Sequence, residues 1–161
     1  MNLPEGMTLL HAGSVHLAAD DSEGPSLVGS RCGGCGLVVF PAMPVCPRCT
    51  ANGRMGEARI GRTARLYSHA IAHVAPQGFV APYYQAFVEL PEGPRVFTLI
   101  GRDVPVAPGQ LVDGAEMRLV VEPLADTPEK RRLFTYKYVP VDRQRLVERD
   151  RAASGGVATH A

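Results

Sequence analysis

The chain carries almost no net charge: seventeen Lys and Arg against sixteen Asp and Glu leave +1 over 161 residues. A molecule without a global field has nothing to draw it towards nucleic acid or an anionic membrane. No apolar run approaches the ~20 residues that a membrane-spanning helix needs. The opening "MNLPEGMTLLHAGS" has neither the charged start nor the continuous apolar stretch of a secretory signal, so a cytoplasmic location is expected. Internal repeats are missing, and helical periodicity is scarce after residue 60. Cysteine is absent outside residues 32–49, which leaves no thiol elsewhere to act as a nucleophile.

What is present fits a small soluble protein: 45% hydrophobic and 20% charged residues, in a chain long enough for one good core and a minor appendage. The cysteines stand in "RCGGCGLVVFPAMPVCPRC" as Cys32 and Cys35, then Cys46 and Cys49, two Cys-x-x-Cys pairs ten residues apart. Each pair can aim both sulfurs at one ion, and Gly33, Gly34 and Gly36 ease the first turn. Four thiolates in a tetrahedron suit zinc, with iron the main competitor for the same sulfur geometry. Two disulfides would need an oxidising compartment. A thioredoxin-like redox pair would need one Cys-x-x-Cys beside a βαβ pattern, and here a short "LVVF" strand lies between two pairs. Metal binding is therefore the reading. The segment takes the form of a ribbon, in which Leu37 to Phe40 extend and Pro41 and Pro44 turn the chain.

Residues 1–25 read as a mixed lead-in that ends in the polar "AADDSEGPS". The ribbon occupies 26–56, entered through the extended "SLVGSRC" and left through the turn-rich linker "TANGRMGE". From 57 to 141 alternation predicts about five strands. These are residues 63–74, long or bent; 83–90, with Tyr84, Ala86, Val88 and Leu90 on one face; 95–100; the stretch "AEMRLVVEPL"; and "LFTYKYVPV". Turn residues separate them, and a closed antiparallel barrel buries one face of each with few edges. The connection "GRDVPVAPGQLVDG" reads as loop, and residues 142–161 as a charged, partly disordered tail. The fold class is mainly β: an N-terminal rubredoxin-like zinc ribbon, then a five-stranded oligonucleotide/oligosaccharide-binding (OB) barrel.

A ribbon followed by such a barrel resembles the zinc-ribbon/OB-fold acyl-CoA-associated proteins, long labelled a domain of unknown function. They accompany thiolases, related condensing enzymes, aldolases and some acyl-CoA hydratases. The carriers are the four-cysteine segment, "GRTARLYSHAIAHVAPQGFVAPYYQAFVELPEGPRVFTLI", "VEPL" at 121–124 and "FTYKYVPV", together covering roughly residues 26–141. Relatives commonly enter the first knuckle from a helix, whereas "SLVGS" is extended here. The resemblance implies a subunit without catalytic residues of its own, bound in a hetero-oligomer to a thiolase-like catalytic subunit. Its barrel loops would help to hold a CoA thioester at a shared entrance. Relatives serve carbon–carbon bond cleavage or formation, for example in the degradation of aromatic compounds or sterol side chains.

The residues taken alone are compatible with that role. All four cysteines are committed to metal, and a tetrathiolate ion has no open position for water. His69 and His73 share a strand face without an acidic residue at a useful spacing, and Ser68 lacks the glycine-flanked elbow of a hydrolase. The loop "APQGFVAPYY" places Phe79, Pro82, Tyr83 and Tyr84 as contact residues, of types that dominate interface energetics when exposed; packing of Phe79 and Tyr84 on the barrel end is the alternative. Arg62, Arg65, Arg131 and Arg132 are candidates for CoA phosphates or acidic partner surface. The competing class is a single-stranded nucleic-acid binder, disfavoured by the near-neutral charge and by acids on or beside the strands, Glu89, Glu92, Glu116 and Glu122.

Overall fold

The computed structural model describes residues 6–18, 23–50, 52–77, 79–101, 111–125 and 132–141. Those residues form ten strands and no helix, so none has a helix long and apolar enough to cross a membrane. The ribbon starts with β3 (Ser26–Cys32), extended as "SLVGSRC" predicts; β4 (Val38–Val39) returns beside it, with Ser30 opposite Val39. Its other edge is filled by β5 (Met55–Ile60), in antiparallel register from Leu27↔Ile60 to Cys32↔Met55. Here the structure corrects the reading of "TANGRMGE" as a linker. Gly53, at φ 71°, makes the turn, and Met55 onward is strand, because pairing on β3 lets Ile60 join the buried Leu27.

The lead-in also holds structure. Its β1 (Thr8–Leu9) lies parallel to the last strand, and β2 (Val15–His16) lies antiparallel to β3. Strands of two residues are too short for alternation to register, so only tertiary pairing reveals them.

The five strands expected after residue 60 are β6 (Thr63–Ala72), β7 (Tyr83–Glu89), β8 (Arg95–Ile100), β9 (Glu116–Pro123) and β10 (Leu133–Pro140). Neighbours run β6–β7–β8–β10–β9, and β9 pairs back onto β6 to close the barrel; only β8 and β10 are parallel. β6 meets β9 through residues 63–65 and β7 through 65–72, bending at a bulge between Leu66 and Ser68. Such a bulge lets one strand serve two sides of a small barrel. The alternation of β7 holds, with Tyr84, Ala86, Val88 and Leu90 all buried. In β10 both faces are covered, since the successive residues Lys137, Tyr138 and Val139 are all buried, as is Thr135. Lys137 lies 3.9 Å from the Glu122 carboxylate on β9, the kind of partner a buried lysine requires. Most of the connection at 101–114, namely 102–110, and the tail from 142 onward lie outside the described residues.

Ribbon and barrel share one core, in which Val15, Leu27, Val38 and Ile60 pack with Leu66, Val88, Leu119 and Tyr138. The joint is Gly61, at φ +70°. Its carbonyl accepts a 2.6 Å hydrogen bond from the buried Tyr138 hydroxyl, and its N–H donates to the Glu92 carboxylate at 3.3 Å. A Cβ there would stand 2.7 Å from Tyr138 Oη. Glycine is required twice over, for the left-handed backbone and for the close approach.

Candidate functional site

The two knuckles are built alike. In the first, Gly36 N–H donates to Cys32 O at 2.9 Å; in the second, Thr50 N–H donates to Cys46 O at 2.8 Å. The fourth residue after the leading cysteine turns left-handed in both, Gly36 at φ 73° and Thr50 at φ 52°. Of the three glycines in the first knuckle only Gly36 has that conformation. Gly34 contributes its N–H, which donates to Cys32 Sγ at 3.4 Å.

The knuckles face each other with Cys32 Sγ 3.6 Å from Cys49 Sγ and Cys35 Sγ 3.5 Å from Cys46 Sγ; all four sulfurs lie within 4.8 Å of one another. A tetrahedral ion with sulfurs at ~2.3 Å needs S···S edges of about 3.8 Å. The cage is therefore the right size for a metal ion. Two of its donors are also held below the ordinary thiol range. Backbone N–H groups of Cys35 and Gly34 pull the Cys32 thiol from the ordinary 9.0 down to about 6. Those of Cys49 and Arg48 lower Cys46 in the same way. Cys32 and Cys46 are buried, Cys35 is half-buried and Cys49 is exposed.

The loop before β7 divides its residues. Phe79 and Tyr83 lie together, ring centroids 5.9 Å apart, and Pro82 is exposed. Tyr84 points the other way, 3% exposed, with its ring edge-to-face on His69. Phe79 and Tyr83 form one wall of a groove of about 290 Å³ that continues along Gln85, Phe97 and Leu99 to Leu124, Thr135 and Tyr136, with Leu10 and His11 of the lead-in opposite. The groove opens where β8 and β10 part: they pair only at Lys137↔Leu99 and Tyr138↔Ile100, and the Tyr136 hydroxyl reaches back to Phe97 O at 3.3 Å. Burial raises the Tyr136 phenol, which keeps it a neutral donor. Its lining has no carboxylate, and its character is that of a small-molecule or side-chain pocket, apolar with a few polar groups.

The arginines are not gathered. Arg62 is engaged by Glu23, through both its backbone oxygen and its carboxylate, and Arg65 reaches Gly114 O at 3.5 Å. Arg132 is exposed beside β1, where its carbonyl accepts from Thr8, and Arg131 lies outside the described residues. Sequence reasoning missed two features. His69 Nδ1 sits 3.2 Å from Asp113, 44 residues later, a separation no local spacing could signal. Leu10, His11 and Tyr136 belong to the groove only because β1 docks on β10.

Comparison with known proteins agrees with both halves. Residues 25–53 match the model described as ChsH2, rubredoxin-like zinc ribbon domain, and residues 57–122 match ChsH2, C-terminal OB-fold domain. A DUF35 domain-containing scaffold protein of Methanocaldococcus jannaschii is 30% identical over 119 residues, 72% of this chain and 82% of its own. The benzoylsuccinyl-CoA thiolase subunit BbsA of Thauera aromatica is 29% identical over 132 residues, 82% of this chain and 88% of its own. A solved structure titled Ltp2-ChsH2(DUF35) aldolase superposes with a TM-score of 0.57 at 31% identity, covering 73% of this chain and 86% of that one. The chain belongs to the DUF35 family, built as a ChsH2-type zinc ribbon joined to an OB-fold barrel.

Proposed function

We propose that the protein is a non-catalytic accessory subunit of a thiolase-type complex acting on CoA thioesters, with one structural zinc in the Cys32/Cys35/Cys46/Cys49 cage. The observation that carries the reading is the use of the thiols. All four cysteines of the chain lie in the cage, so none is left to attack a thioester. When bound, zinc braces the two knuckles, and four sulfurs fill its coordination sphere. The relatives are a scaffold protein and a thiolase subunit, which supports a catalytic partner for this chain too.

The barrel would meet that partner through Phe79, Pro82 and Tyr83, and the groove behind them would border the entrance for the thioester. Arg132, exposed beside β1, would be a cation for the thioester's phosphates. Tyr84, packed inside, supports the barrel end instead.

A second reading has one observation in its favour. The outer strand face exposes Tyr67, Phe87 and Phe97, and Phe87 and Phe97 meet edge-to-face at 5.5 Å, a surface on which bases could stack. Yet Arg95, which covers the Tyr67 ring at 3.3 Å, is already paired with Glu89 at 2.6 Å. Its charge is therefore met within the protein, which favours a protein partner.

The test is reconstitution with a thiolase-fold subunit from the same genome. A stable complex, one zinc per chain and no thioester turnover by the chain alone are expected. Turnover by the isolated chain overturns the reading. Binding to single-stranded oligonucleotides that weakens steeply with salt would move it to the second class.

A further inference from the structure

The cage is lopsided. Its two leading cysteines, Cys32 and Cys46, are 1% and 0% exposed, whereas Cys49 is open to solvent and Cys35 is half-buried. The Cys32 sulfur also accepts the Gly34 N–H at 3.4 Å inside its own knuckle. Two further facts concern partners. The short sulfur contacts cross between knuckles, Cys49 with Cys32 at 3.6 Å and Cys35 with Cys46 at 3.5 Å. The knuckle backbones are closed by their own hydrogen bonds, Gly36 to Cys32 and Thr50 to Cys46, which need no metal.

We infer that Cys49 is the point at which a peroxide-class oxidant opens the metal centre, and that oxidation ties the sulfurs across the two knuckles, Cys49 to Cys32 and Cys35 to Cys46, as the metal leaves. The inference rests on the metal reading above. The exposed Cys49 thiolate attacks a peroxide oxygen; the O–O bond breaks, Cys49 becomes a sulfenic acid and hydroxide departs. The Cys32 thiolate then attacks the Cys49 sulfur, forming the disulfide and expelling a second hydroxide, and two protons from solvent convert both hydroxides to water. Two electrons pass from the sulfurs to each peroxide. A second peroxide then closes Cys35 to Cys46 in the same way, which leaves no thiolate to hold an ion. The ribbon exchanges a metal brace for a covalent one, in the same cross-knuckle pairing.

The experiment uses the full chain loaded with zinc and titrated with hydrogen peroxide. A chromogenic chelator reports zinc release, and dimedone traps sulfenic acid. Trypsin cuts after Arg31, Arg48 and Arg54, which puts Cys49 in the peptide 49–54 and the other three cysteines in 32–48. The expected first dimedone label is on 49–54, in several-fold excess over 32–48. Without dimedone, zinc is released completely as the two peptides become linked through Cys49–Cys32, with Cys35–Cys46 closed inside the longer one. A first label on 32–48, bonds within a knuckle (Cys32–Cys35 or Cys46–Cys49), or zinc retained under excess peroxide would each overturn the inference while leaving the metal reading intact. A chain that takes up no zinc in its reduced form overturns both.

Discussion

At the scale of the residue, the most informative position is Thr50. It is β-branched and left-handed at φ 52°, where its counterpart in the other knuckle is Gly36. Holding such a residue there costs roughly 1–3 kcal/mol, and the greater unfolded-chain entropy of a glycine offsets part of the relief it would bring. Thr50→Gly is therefore expected to stabilise the metal-loaded chain by about 0.5–1 kcal/mol, read as a higher urea midpoint. Cys32 sets a pH dependence. Its thiol is pulled down to about 6, so folding favours the thiolate that metal needs. The contribution is complete above the ordinary thiol range and is lost as pH falls through about 6. Zinc affinity measured against a competing chelator should thus fall as pH falls, with Cys32 adding its own share of the loss only near and below about 6. Both knuckles were legible in the sequence because metal geometry dictates Cys-x-x-Cys spacing. The burial asymmetry among the four sulfurs was not, since it depends on tertiary pairing such as that of Cys32 with Met55 of β5.

At the scale of the element, the strands of the barrel could be read and the pieces that join them to the ribbon could not. β7 alternates because one of its faces is wet, and Tyr84 to Leu90 announce it. β5, β1 and β2 carry no such pattern: they are short or edge-placed, and only pairing with β3 or β10 makes them strands. The loop before β7 was legible as apolar, but the direction of each ring was settled by the pleat that starts at Tyr83. From this comes a prediction that separates neighbours. Phe79→Ala and Tyr83→Ala should weaken assembly with the catalytic subunit by about tenfold or more each, the scale of an interface anchor, while leaving the chain's own melting temperature nearly unchanged. Tyr84→Ala should do the reverse, destabilising the chain by about 3–5 kcal/mol as a buried aromatic truncation does. Isothermal titration and thermal melting of the three variants check both arms.

For the whole molecule, the shared core makes ribbon and barrel one cooperative unit. The Tyr138 hydroxyl is one tie between them, buried, neutral through burial and bonded to the Gly61 carbonyl at 2.6 Å. Tyr138→Phe leaves that carbonyl without its donor and should cost about 1–3 kcal/mol. Because Leu27 and Ile60 of the ribbon pack among barrel residues, stripping the metal should lower the melting temperature of the barrel as well. Calorimetry of the chain with and without chelator should give a single peak that moves, and two separate peaks would show independent units.

The groove has a consequence for the order of events in assembly. Its walls come from residues 10, 79, 97 and 136, so no fragment that stops short of the final strand possesses it. A partner that recognises this cleft cannot engage a half-folded chain, and complex formation then doubles as a check that the barrel has closed.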